Sequence, residues 1–340
     1  MARVITFGEL MLRLQPFNYE RFVQASTFEA SFGGGEANVA VSLSNYGFET
    51  EFVTKLPAHS IGQMAVNSLR QYGVGTKFIT RGGNRVGIYY NEKGASQRPS
   101  VCIYDRAHSA IAEATSADFD WDAIFEGADW FHFTGITPAL GANVVEICKE
   151  ACKAAKAHGV KISCDLNYRG KLWTRAEARE AMTELAKYID VCISNEEDAK
   201  DVFGIEAENT DITAGELNKE GYKSVARQLM EKFGFEKFAI TLRESKSAFD
   251  NDWSAMLYDG ENYCFSKLYH LHIIDRIGGG DSFGGGLIYS LLSGKSSQEA
   301  LEVAVAASAL KHSLGGDYNH VTVAEVEKLA GGDGSGRVQR

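Results

Sequence analysis

Asp275-Arg-Ile-Gly-Gly-Gly-Asp-Ser-Phe-Gly-Gly-Gly286 leads into Leu287, Ile288, Leu291 and Leu292, and it is the most informative stretch of the chain. Three glycines and an aspartate stand where apolar residues begin to recur at helical spacing. Glycines let a backbone turn approach an anion closely, and the unpaired N–H groups of a helix start point outward at it. A carboxylate in that turn repels a phosphate, so it makes better sense as a proton acceptor. The amides of Gly278, Gly279 and Gly280 beside Asp281 therefore read as a phosphoryl-transfer site, a chemistry that needs charge stabilisation, alignment and a base. The plain alternative is a Gly-rich helix start capped by an acid. Against it, a glycine triplet before the acid and another inside the helix cost stability with no ligand to justify them.

Upstream of this turn, strand-like apolar runs at 4–7, 52–54, 130–133, 160–164, 191–194 and 238–242 alternate with helical spacing at 37–46, 61–72, 144–158, 176–188 and 225–233. Strand followed by helix, repeated, predicts an α/β fold with a mostly parallel sheet covered on both faces. Ligands in such folds sit beyond the C-terminal ends of the strands. Two stretches, 12–28 and 86–104, break the alternation: they look extended and aromatic, and Glu92-Lys93-Gly94 reads as a hairpin tip. They form either a small sheet acting as a lid over a substrate or a pair of surface hairpins. Residues 206–220 are polar and weakly periodic, as in a loop or insertion, and 331–340 read as a disordered tail. The expected organisation is one domain over 1–330, with lid strands drawn from about 12–28 and 86–106.

With 340 residues, 44% hydrophobic and 24% charged, the chain has the make-up of a soluble globular protein. A net charge of −10 argues against nucleic acid as an obligate partner, while local cations can still bind an anionic substrate. The 6 cysteines form no CxxC and have no histidine at metal spacing, so they read as buried free thiols of a cytoplasmic protein. There is no run of 18 apolar residues and no signal-like N-terminus, so no membrane partner is expected. His132 reads as a hydrogen-bonded core histidine, and His270 and His272 as a strand-face pair lacking a third metal ligand.

The turn at 275–286 resembles the signature of the ribokinase-like (phosphofructokinase-B type) carbohydrate kinases, whose Gly-Ala-Gly-Asp-like turn holds the base; here Gly279 stands at the usual Ala place. Gly33-Gly34-Gly35-Glu36-Ala37-Asn38 resembles the family's Gly-Gly-x-x-x-Asn element, which touches the sugar. Asn195-Glu196-Glu197-Asp198 is similar to its Asn-x-x-Glu motif, with Asp198 in place of Glu, and by that resemblance it meets Mg²⁺ through water. On the nucleotide side, Ile240-Thr241-Leu242-Arg243-Glu244-Ser245-Lys246 stands where Thr-x-Gly-x-x-Gly is usual, without either glycine, which leaves Thr241, Arg243 and Lys246 for the phosphates. Neither GxxxxGK[ST] nor a GxGxxG after the first strand occurs. The resemblance implies a three-layer α/β/α core with a small β-sheet lid, ATP and Mg²⁺ as cofactors, and room for a monovalent cation such as K⁺. A lid sheet with exposed apolar residues often pairs with a neighbour, so a homo-oligomer through the lid is one option and the oligomeric state stays open.

Within that family the chain is similar, from residue 5 to about 328, to the branch acting on 2-keto-3-deoxygluconate. The resemblance implies ATP-dependent phosphorylation of the 6-hydroxyl of that acid sugar. Tyr89, Tyr104, Arg106, Asn167, Arg169 and Asp317 are its implied sugar contacts. Cations and phenol hydroxyls suit a carboxylate, although a surface salt bridge is the commoner fate of an arginine. A ketose kinase such as a fructokinase, and a non-catalytic sugar sensor, are the alternatives.

Overall fold

A computed structural model describes residues 2–206 and 219–336 of the chain. Most of the expected 206–220 insertion and the last four residues of the expected tail lie outside the described residues. The strands are β1 (Arg3–Phe7), β2 (Met11–Pro16), β3 (Phe28–Gly33), β4 (Glu49–Leu56), β5 (Ile79–Arg81), β6 (Ile88–Glu92), β7 (Val101–Asp105), β8 (Trp130–Thr134), β9 (Lys161–Asp165), β10 (Val191–Asn195), β11 (Lys237–Ser245), β12 (Asp250–Tyr258), β13 (Tyr263–Phe265) and β14 (Tyr269–His272), and the expected apolar runs fall on β1, β4, β8, β9, β10 and β11. The helices are α1 (Gly35–Asn45), α2 (Ser60–Arg70), α3 (Trp121–Phe125), α4 (Ala142–Ala157), α5 (Arg175–Ala186), α6 (Asp198–Phe203), α7 (Lys219–Phe233), α8 (Gly279–Leu292), α9 (Ser297–Lys311) and α10 (Val323–Ala330), and the expected periodic segments fall on α1, α2, α4, α5 and α7.

A ten-stranded sheet runs β13-β12-β11-β10-β9-β8-β1-β4-β5, with β14 also on β12. From β5 to β11 the pairings are parallel. The β12 pairings are antiparallel, because only a short connection separates it from β11. Strand period two sorts the side chains between two layers. Phe238, Ile240 and Leu242 of β11 pack with α4, α5 and α7, whereas Ala239 between them joins the cluster of α1, α8 and α9.

The second glycine triplet inside α8 has a packing role rather than the ligand role expected for it. A Cβ on Gly285 would lie 2.8 Å from Ser42 Cβ of α1, and one on Gly286 3.0 Å from Ala304 Cα of α9. Those glycines let three helices close on one another.

The four-stranded sheet runs β3-β2-β6-β7, so the two irregular stretches form one sheet rather than two hairpins. Between β2 and β3, residues 17–27 are turns rather than strand. The hairpin tip is also longer than Glu92-Lys93-Gly94 suggests: β6 runs through Glu92, which Arg98 grips at 2.7 Å, and an Ala95–Arg98 bridge closes the loop. His132 is buried against Ser163 Oγ at 2.8 Å, and burial pulls its pKa down to about 3, so it is neutral. His270 and His272 face Asp252 and Asp250 across β12 and β14. All 6 cysteines are free, and Cys148 and Cys152 are both buried. Among the described residues no helix is long and apolar enough to cross a membrane.

Candidate active site

The C-terminal ends of β9, β10 and β11, the start of α8 and the four-stranded sheet enclose an open cavity of about 310 Å³. Gly278 caps α8 in the left-handed region (φ 82°), and a Cβ there would sit 2.1 Å from the Asp317 carbonyl oxygen, so both backbone and space require glycine. A Cβ on Gly279 would lie 2.5 Å from His312 Cε1, whereas one on Gly280 would meet nothing within 4 Å. The turn is thus packed tightly behind and open toward the cavity at Gly280; the Gly279 N–H makes a long bond to the Arg276 carbonyl at 3.4 Å, and helix-start N–H groups of this kind suit an anion.

Asp281 lies in the first turn of α8, and its Oδ2 accepts a hydrogen bond from Asn38 Nδ2 at 2.6 Å. Burial, with the negative charges of Glu36 and Asp317, pushes its pKa up to about 7, against the pull of the Asn38 hydrogen bond and of Arg169. A carboxylate poised there can accept a proton at neutral pH. Asn38 is set by the glycines before it. A Cβ on Gly34 would strike the Glu9 carbonyl oxygen at 2.0 Å, one on Gly33 the Asp317 carboxylate at 1.9 Å, and Gly35 faces Asp281. Below them Glu36, buried and raised in pKa by that burial, accepts from the N–H and Oγ1 of Thr134 and from Thr137 Oγ1. It ties the start of α1 to the end of β8.

On the side of the four-stranded sheet, the expected sugar contacts are already partnered. The Tyr89 hydroxyl sits 2.7 and 2.6 Å from the two Asp317 oxygens. Arg13, which the sequence reading missed, is the neighbour of Tyr89 across β2 and β6. It is fully buried, with Nη1 on Asp317 at 2.7 Å and Nη2 on Asp275 at 2.6 Å as well as on Gln15. Arg106 forks onto Glu9, its Nε donating at 2.7 Å and its Nη2 also in contact, while Ser109 Oγ donates to the other Glu9 oxygen. Tyr104 lines the cavity, stacked on Tyr89 at 6.0 Å with the Arg106 guanidinium over its ring.

At the strand ends, Asp165, Asn167 and Arg169 leave β9 through a turn in which Asn167 has φ 38°. Burial and the charges of Asp198 and Asp281 hold the Asp165 pKa well above the usual carboxylate range, against Arg169. Asn195 and Asp198 serve the backbone: Asn195 Oδ1 accepts from the N–H groups of Glu197 and Asp198, and Asp198 accepts from those of Tyr168 and Asn195. Asp198 is buried outside the cavity lining, while Glu196 and Asp165 face in. β11 runs straight through Ser245, so an extended hairpin with β12 stands where two glycines are usual. Thr241, Arg243 and Trp253 of that hairpin line the cavity with Arg276. Lys246 lies beyond it, bound to Asp252 at 2.6 Å. Among the described residues no carboxylate comes within ion-pair distance of Arg169, Arg243 or Arg276.

Comparison with known proteins fits this geometry. A model of the pfkB family carbohydrate kinases matches residues 1–324. The 2-dehydro-3-deoxygluconokinase of Thermotoga maritima has a crystal structure with TM-score 0.94 and 50% identity, covering 97% of this chain and 98% of that one. A 2-dehydro-3-deoxygalactonokinase of Haloferax volcanii is 33% identical over 98% of each chain. A 2-dehydro-3-deoxygluconokinase of Bacillus subtilis is 29% identical over 96% of this chain and 94% of its own. An acid at an open glycine turn, beneath a small sheet and at the strand ends of a parallel α/β core, accords with that match: the chain belongs to the pfkB family of carbohydrate kinases.

Proposed function

We propose that the protein transfers the γ-phosphoryl group of ATP to the 6-hydroxyl of 2-keto-3-deoxy-D-gluconate. The observation that carries this is Asp281, with its pKa raised to about 7, beside the cavity-lining turn Gly278–Gly280 at the start of α8. Asp281 accepts the proton of the sugar hydroxyl as it attacks, and the amides take the charge of the moving phosphoryl group. Arg243 and Arg276, which lack carboxylate partners among the described residues, meet the nucleotide phosphates. Arg169, the Tyr104 hydroxyl and the uncommitted Nη1 of Arg106 receive the sugar carboxylate. Asn38 and Asp317 orient the sugar hydroxyls. Mg²⁺ neutralises phosphate charge when bound; it keeps most of its waters, which suits the two cavity-facing acids Glu196 and Asp165 better than Asp198, whose oxygens are taken by backbone N–H groups.

The relatives' names, together with Arg169, favour an acid sugar over a neutral one. One observation favours a neutral ketose instead: the charge of Arg106 is already met by Glu9. The Haloferax relative's name adds the galactonate-derived epimer. A coupled ADP-release assay with both 2-keto-3-deoxy epimers and fructose separates these. Turnover on the gluconate-derived sugar at least about tenfold above fructose in kcat/KM is expected, and a preference for fructose overturns the acid-sugar assignment. Exposed Val101, Ile103 and Phe28 on the four-stranded sheet support pairing of two copies, which sedimentation reads directly. The free cysteines support a reducing, cytoplasmic setting.

A further inference from the structure

Behind the glycine turn, the end of α9 forms the wall that holds it. Ser308 Oγ donates to the Gly279 carbonyl at 2.7 Å, and the His312 carbonyl accepts from the Ile274 N–H at 2.8 Å. Between them Lys311 is fully buried, and its Cε lies 3.3 Å from where a Gly278 Cβ would stand. Its Nζ donates to the Leu314 carbonyl at 3.2 Å. Burial, helped by Arg13, pulls the Lys311 pKa below the usual lysine value, while Asp275, Asp317 and Asp281 act the other way and favour the ammonium. Removing an ammonium from water costs several kcal/mol, so its stabilising value to the fold is poor. Its value is to the turn: a positive charge behind Gly278 adds to the field of the amides in front.

We propose that Lys311 is a tethered counter-cation of the phosphate-binding turn and stands in for the monovalent cation that the fold family suggests. A K⁺ ion does not fit here. The two carboxylates at the back of the turn, Asp275 and Asp317, are shared between two buried cations, Arg13 by direct contact and Lys311 through space. A further cation would crowd three positive charges around two negative ones. An ammonium group resembles K⁺ in size and charge and prefers the same oxygen neighbours, so the side chain supplies the ion's electrostatics without an equilibrium for binding it. Lys311 touches no reacting atom in this scheme and is a positioning residue.

The inference rests on phosphoryl transfer at this turn and not on which sugar is used, so the assay takes whichever sugar of the panel is phosphorylated. Wild-type protein is assayed, and melted, with tetramethylammonium as the sole monovalent cation and again with K⁺ at the same ionic strength. A change in kcat within about threefold and an unshifted melting temperature are expected; larger K⁺ activation overturns the proposal. Lys311→Ala should lose about 100-fold in kcat with sugar KM little changed, and K⁺ or ammonium, but not tetramethylammonium, should restore at least about tenfold of it. A folded Lys311→Ala that keeps wild-type kcat, or that no small cation restores, also overturns it. If that variant does not fold, the wild-type arm decides. A protein that phosphorylates no sugar of the panel defeats the earlier substrate assignment, whereas a K⁺-dependent rise in wild-type melting temperature defeats this one.

Discussion

The two sides of the cavity treat positive charge in opposite ways. Toward the four-stranded sheet both buried arginines touch carboxylates: Arg13 has Asp275 and Asp317, and Arg106 has Glu9. Toward the β11–β12 hairpin, Arg243 and Arg276 have none among the described residues, and burial together with the charge of Arg243 lowers the Arg276 pKa, against the pull of Asp275. The first side is neutralised within the protein and is therefore fixed before any ligand arrives. The second keeps positive potential in reserve for a ligand that brings several negative charges. Asp281 stands at the seam between them.

The largest effect is expected at that seam. Asp281→Asn should lower kcat by about 10²–10⁴-fold, the usual worth of a positioned base. The pH dependence carries the sign. Since the base works deprotonated, wild-type kcat/KM should rise with pH through about 7. A folded-state pKa raised above the unfolded value means that stability present in acid is lost as pH rises through about 7. Asp281→Asn escapes that loss, so its melting temperature should gain on wild type between pH 5 and pH 8. A variant that melts lower than wild type at pH 8 would speak against a strained, half-buried carboxylate.

On the closed side, Arg13→Met strands Asp275 and Asp317 in a buried setting and should destabilise the protein by about 3–5 kcal/mol, read by urea unfolding. An unchanged midpoint would mean that the network is not what fixes the small sheet to the turn. On the open side, Arg243→Ala should leave stability alone and raise the KM for ATP by about tenfold, since its contact is with ligand rather than protein. If Arg243→Ala instead lowers the melting temperature while the KM holds, the contrast between the two sides collapses. The smallest effect is expected for Lys246→Ala. Tied to Asp252 beyond the cavity, it should change the KM for ATP by less than about twofold.

Much of this was legible in the sequence because the signals are local. Apolar runs and helical spacing gave the central strands and α1, α2, α4, α5 and α7, with β4 and α7 starting earlier than read, since burial on two faces leaves a strand few polar residues. The turn at Gly278–Asp281 was legible because glycine is required there by the backbone itself. β12 was not read, because Asp250-Asn251-Asp252 opens it with polar residues, and only its pairing with β11 makes it a strand. Arg13 was missed for a different reason. Its partners lie 262 and 304 residues away, and nothing near an arginine in an extended stretch announces that two distant carboxylates will surround it. A separation of 97 residues likewise hid Glu9 behind Arg106, which made the cationic side of the sugar pocket look more open than it is. Lys246 drew notice by nearness to Thr241 in sequence, whereas the hairpin carries it past the cavity to Asp252.

The close approach of His312 to Gly279 has a consequence for how this sequence can change. A methyl group at 279 and an imidazole at 312 claim the same space, so Gly279→Ala alone is expected to be harmful, and His312→Ala alone opens a void. Together the two changes can relieve each other, and a double-mutant cycle should report a favourable coupling. Since each change alone carries a cost, the epistasis is reciprocal, and neither step is free without the other. The pair of positions, more than either alone, is the unit on which selection acts at the back of the turn.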